Sequence, residues 1–113
     1  MWRRLRQLVG KRVEYEERTF LYTLPRRYTP DFTVLLPGRE PVFLEVKGYF
    51  RAEDRTKMRR VKHDNPTADI RLVFAYDNKL SAKNEMRYSE WAIKYGFPYC
   101  VGQIPEGWFT ENG

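Results

Sequence analysis

The chain is poor in the residues that carry thiol and imidazole chemistry. Of 113 residues, one is cysteine and one is histidine. A lone thiol, Cys100, closes no internal disulfide and builds no cysteine-based zinc site. A lone imidazole, His63, rules against a histidine-rich metal site and a Ser–His–Asp triad. It stands between Lys62 and Asp64 at an expected helix end, so it reads as a surface or capping residue. No apolar run approaches the ~20 residues that span a bilayer. Residues Met1 to Gly10 carry positive charge without the unbroken apolar segment of a secretory leader. With the single thiol, this predicts a protein of a reducing cytoplasm with no membrane partner. No acid precedes Glu14, and neither a repeat nor a low-complexity linker divides the chain.

What is present suits one domain, residues 1–113. The 42% of hydrophobic residues recur in short runs, which predicts a folded core and not disorder. The net charge of +6 points to a polyanionic partner, either nucleic acid or an anionic membrane.

Four stretches follow from periodicity and punctuation. In residues 1–10, Trp2, Leu5, Leu8 and Val9 recur at helical spacing before Gly10, as in the last turns of an amphipathic helix. Residues 13–48 read as strands. Val13 to Tyr22 is extended, with Tyr15 and Tyr22 packing, and Leu24 to Pro30 is a connection stiffened by its prolines. Phe32 to Leu36 and Val42 to Val46 are strands around a Pro37–Pro41 turn, which predicts a hairpin. Residues 51–63 form a basic helix from Ala52 to Lys62, with Met58 and Val61 as its apolar stripe. Residues 70–113 give a strand (Ile70–Ala75), a polar loop holding Ser81 and Lys83, and a short helix (Ser89–Tyr95) stopped by Gly96. A last strand (Tyr99–Val101) and a turn opened by Pro105 follow. Trp91, Tyr95, Phe97 and Trp108 read as core. The order predicts an α/β fold, a mixed sheet with helices outside.

The sharpest feature is Tyr28-Thr-Pro-Asp31-Phe32 followed by Phe43-Leu-Glu45-Val-Lys47-Gly48. Alternation along a strand puts Phe43, Glu45 and Lys47 on one face, and Val42, Leu44 and Val46 on the other. A carboxylate between Leu44 and Val46 is costly to bury unless a positive group meets it. Asp31 opens the paired strand, so its carboxylate falls near Glu45. Two hard carboxylates at one point make a site for Mg²⁺ or Mn²⁺, with the Val46 carbonyl as a further ligand. Such an ion activates water and neutralises charge on a scissile phosphate. Lys47 reaches the same phosphate or water as a point charge. A surface Glu–Lys pair is the plain alternative and is worth little. The combined P-D…E-x-K pattern on adjacent strands of a basic domain outweighs it and points to a nuclease superfamily, not to a substrate.

Basic residues supply the expected DNA contacts. Arg3, Arg4, Arg6, Lys11 and Arg12 form one cluster. Arg51, Arg55, Lys57, Arg59 and Lys62 form another, and Arg26 and Arg27 precede the site.

Beyond the catalytic motif, the sequence resembles the phage endonuclease I family of Holliday-junction resolvases, of the T-seven type. The likeness runs from about Val13 to Trp108. It is carried by Val13–Glu17, Tyr28–Phe32, Leu44–Gly48, Asp54-Arg55, Asp69–Phe74, Tyr88–Gly96 and Ile104–Trp108. The resemblance implies a restriction-endonuclease-like core in an intertwined, segment-exchanged homodimer. It implies paired nicks that resolve four-way junctions and other branched DNA. On matching positions, Asp31 and Glu45 would be the metal-binding carboxylates and Lys47 the catalytic lysine, with two ions expected per site. The family places a further catalytic glutamate in its first helix. Counting back from Glu14 without gaps puts that position before Met1. The alternatives are therefore a catalytically impaired junction-binding protein, or a related nuclease acting on another DNA structure.

Overall fold

The computed structural model of the protein describes residues 13–16, 19–22 and 26–110; for residues 14, 20–22 and 26 the description is of the backbone alone. The expected helix end over residues 1–10, and Arg3, Arg4, Arg6, Lys11 and Arg12, lie outside the described residues.

The core of the fold is a five-stranded mixed sheet. It takes β1 (Val13–Tyr15), β4 (Phe32–Val34), β5 (Val42–Lys47), β6 (Asp69–Phe74) and β9 (Tyr99–Val101), side by side in that order. The first three strands are antiparallel, and β5, β6 and β9 are parallel. The expected hairpin forms, with Thr33 opposite Phe43. Parallel pairing of β5 and β6 requires a crossover, and helix α1 (Ala52–Asp64) supplies it.

β5 is buried on both faces. Val42, Leu44 and Val46 join Val13, Val34, Ile104 and Phe109 on one side. Phe43 joins Met58 and Val61 of α1, together with Trp91 and Ala92 of helix α2 (Tyr88–Lys94), on the other. Among the described residues both helices thus pack on one face, and the turn Glu106–Phe109 covers the opposite one. α2 ends in paired reversed hydrogen bonds, Phe97 N–H to Ala92 O (2.8 Å) and Gly96 N–H to Ile93 O (3.2 Å). This cap needs a left-handed residue, and Gly96 provides it at φ +77°. Cys100 is buried on β9, and burial pushes its thiol up to about 11. No helix among the described residues is long and apolar enough to cross a membrane.

Several expected elements differ. The extended run from Val13 to Tyr22 is broken at Glu16, which has φ +52°. Its second part, β2 (Phe20–Tyr22), leaves the main sheet and pairs with β3 (Arg26–Tyr28). β3 lies inside the stretch expected to be a connection. Its three residues, Arg26, Arg27 and Tyr28, include no proline, so no ladder donor is lost. The expected strand Phe32–Leu36 ends at Val34, although Leu36 stays buried. The expected polar loop around Ser81 and Lys83 is a hairpin of β7 (Lys79–Ser81) and β8 (Asn84–Arg87). Tyr15, expected to pack, is 48% exposed, though its ring lies 5.3 Å from that of Phe32.

Candidate active site

Pro30 leads the chain into β4, and Asp31 is the residue just before it. Phe32 lies opposite Leu44, so one step further along the antiparallel register sets Asp31 opposite Glu45. Residues opposite one another share a sheet face. Asp31, Glu45 and Lys47 therefore meet at one end of the sheet, on the face that α1 covers.

Each group is held by named partners. Asp31 Oδ2 accepts the Val46 N–H at 2.8 Å. Glu45, 6% exposed, accepts the Tyr28 hydroxyl on Oε1 at 2.8 Å and faces Lys47 Nζ with Oε2 at 3.2 Å. Lys47 Nζ also lies 3.4 Å from Asp54 Oδ1. The other oxygen of Asp54 accepts the Arg51 N–H at 3.0 Å and so caps α1. Tyr28 comes from β3 and is fully buried, and Lys57 Nζ of α1 lies 5.4 Å from its ring centre.

The electrostatics are crowded with negative charge. Burial pushes the Glu45 carboxyl up to about 6, and the neighbouring Asp31 adds to this against the pull of Lys47 and Tyr28. Burial also raises Asp31, opposed by the Val46 amide and by Lys47. Burial alone would push Lys47 down, but the charges of Glu45 and Asp54 carry it above its ordinary value, so it stays an ammonium. Tyr28 is raised well above 10 by burial and then by Glu45, so it remains a donor. Three carboxylates against one ammonium leave two negative charges over, within a chain of net charge +6.

The donor set fits a hard divalent cation. Both carboxylates supply oxygen, and their mutual repulsion is relieved by a cation between them. Ala75 N–H bonds Lys47 O toward β6. The polar groups of Val46 therefore face the β4 side, where its N–H meets Asp31, and its carbonyl points the same way. Among the described residues, no three His, Cys, Asp or Glu side chains gather as a metal cage. Two carboxylates and a carbonyl leave positions for water and phosphate oxygens, which suits Mg²⁺.

The expected DNA-contacting residues are dispersed. Lys57 approaches the site through Tyr28, and Arg51 stands exposed at the start of α1. Arg55 is turned inward and donates to Phe50 O at 2.6 Å. Arg59 and Lys62 lie on the α2 side, over the rings of Tyr95 and Phe97. Arg27 is exposed on β3, and only the backbone of Arg26 is described. Sequence reasoning assigned no role to Tyr28 or Asp54. Both stand in stretches that carried the family resemblance, but their contacts with Glu45 and Lys47 exist only once β3 and α1 dock on β5.

The chain belongs to the phage endonuclease I family, whose sequence model matches residues 3–113. It is 36% identical over 106 residues to Endonuclease I of Escherichia phage T7, covering 90% of this chain and 68% of that one. It is also 36% identical over 100 residues to Endodeoxyribonuclease 1 of Enterobacteria phage T3, covering 85% and 63%. The chain thus spans about two-thirds of the length of each relative.

Proposed function

We propose that this protein is a metal-dependent, structure-selective endodeoxyribonuclease that resolves four-way (Holliday) junctions and other branched DNA by paired nicks. The reading rests on the meeting of Asp31, Glu45 and Lys47 in a chain whose named relatives are an endonuclease and an endodeoxyribonuclease. It takes the sheet as a restriction-endonuclease-like core and the active form as an intertwined homodimer in the host cytoplasm, whose paired sites make the paired nicks.

Asp31 and Glu45, with the Val46 carbonyl, hold Mg²⁺ or Mn²⁺, two ions per site. When bound, the metal activates water and neutralises charge on the scissile phosphate. The chain's own groups do the positioning. Val46 N–H fixes one oxygen of Asp31, and the Tyr28 hydroxyl fixes one oxygen of Glu45. Glu45 and Asp54 aim the Lys47 ammonium, which stabilises the phosphate as water oxygen bonds phosphorus and the sugar oxygen leaves.

The test is a synthetic four-way junction incubated with Mg²⁺ or Mn²⁺. Wild type nicks it near the crossover. Asp31→Ala and Lys47→Ala each lower the nicking rate by roughly a hundredfold or more while junction binding persists. Both variants cutting like wild type would refute the assignment. A second reading, a junction-binding protein with impaired cutting, draws on the absence, among the described residues, of a third acid gathered with Asp31 and Glu45 as a metal cage. Tight, salt-sensitive binding with no nicks under either metal would favour it.

A further inference from the structure

Beside the Asp31–Glu45–Lys47 site lies a cleft that the hydrolytic chemistry does not use. It runs between the 49–51 segment after β5 and the β7–β8 hairpin, with a volume of about 490 Å³. Phe50, Leu80 and Tyr88 make it apolar, and Tyr49, Arg51 and Lys79 also line it. Pockets for small ligands span roughly 300–1,000 Å³. Tyr49 is 72% exposed, the most exposed large aromatic ring among the described residues.

The cleft is prebuilt. Tyr88 ties both walls together: its N–H donates to Asn78 O at 3.0 Å, and its hydroxyl oxygen accepts the Phe50 N–H at 3.1 Å. Asp77, at the root of the hairpin, accepts both the N–H (2.9 Å) and the hydroxyl (2.6 Å) of Ser89. Both walls are therefore fixed without a ligand. The cleft is also joined to the catalytic end of the sheet. Tyr49 follows Lys47 by two residues, and the N–H of Arg51 binds the same Asp54 that pairs with Lys47.

We propose that this cleft holds one unstacked nucleotide of the DNA substrate, its base against the Tyr49 ring and its phosphate on Arg51 and Lys79. An aromatic face binds any base by stacking, whereas a paired base inside a duplex offers no free face. Cations at the rim suit the phosphate. Lys79 is only loosely engaged, 4.0 Å from Glu85 in an exposed pair. At the crossover of branched DNA the stacking of successive base pairs is interrupted and a base face can be freed, whereas linear duplex is stacked throughout. The cleft would thus give the site a preference for a branch over linear duplex. The inference rests on the nuclease reading for its substrate.

Binding without divalent metal tests it, because nothing is then cut. Affinities are measured for a four-way junction and for linear duplex of the same sequence. Wild type prefers the junction. Tyr49→Ala weakens junction binding by about tenfold and leaves duplex binding unchanged, while Tyr49→Phe keeps the preference. Tyr76→Ala, at a ring 68% exposed that lies outside the cleft, leaves both affinities unchanged. The proposal is overturned if wild type shows no preference, if Tyr49→Ala retains it, if Tyr49→Phe loses it, or if Tyr76→Ala loses as much. Nicking by wild type is scored separately. Tyr49-dependent junction binding with no nicks would sink the nuclease reading and keep the cleft; nicking with Tyr49-independent binding would do the reverse.

Discussion

Asp69 and Glu45 sit on opposite faces of the sheet under opposite electrostatic conditions. Asp69 accepts two hydrogen bonds from Arg71, at 3.0 and 2.9 Å, and a third from Arg39 at 2.6 Å. Burial alone would raise its carboxyl, but Arg71 and then Arg39 hold it below the ordinary 3.8. A carboxylate whose folded value is lowered stabilises the fold above its unfolded value, and that stability is lost as pH falls through the folded value. Wild type should therefore exceed Asp69→Asn by about 1–3 kcal/mol at pH 7, with the gap narrowing in acid as pH falls below the ordinary 3.8. Urea unfolding at pH 7 and in acid measures this, and an equal gap at both would contradict it. Glu45 is the reverse case. Its carboxyl is raised because the positive charge near it does not offset burial and Asp31. A protein that can pair an acid as well as it pairs Asp69 leaves Asp31 and Glu45 underpaired, which is the condition a metal site needs.

At the level of elements, the turn from α2 into β9 is set by one backbone conformation. A Cβ at Gly96 would meet Lys62 Cε at 3.5 Å, an ordinary contact, so Gly96→Ala is opposed by its φ and not by space. The variant should lose about 1 kcal/mol in thermal or urea unfolding, and an unchanged midpoint would mean the cap is not held as described. Elements with a strong apolar signal were readable in advance. β5 and β6 carry apolar runs interrupted only by Glu45 and by Arg71, Met58 and Val61 mark α1, and Gly96 marks the end of α2. β7 and β8 gave no such signal, because each sends a single apolar residue, Leu80 or Met86, against the core. One apolar position has no period. β3 was hidden by its flanking prolines and by having three residues.

Across the whole molecule, the pairing of Asp31 with Glu45 was readable because a hairpin register is local. Tyr28 and Asp54 were not, because they reach Glu45 and Lys47 only through the docking of β3 and α1. The tertiary fold therefore turns a strand motif into a supported site, and it sets that negatively charged site inside a chain of net charge +6. Such a chain draws in a polyanion by its overall field, and on the proposed reading the site would gather the cation that serves the cutting. Calorimetric titration of Mn²⁺ into wild type, Asp31→Asn and Glu45→Gln reads this division most directly. Wild type should bind the ion, and each variant should bind it at least about tenfold more weakly with its fold intact. Equal affinity in all three would mean that these two acids do not hold the metal.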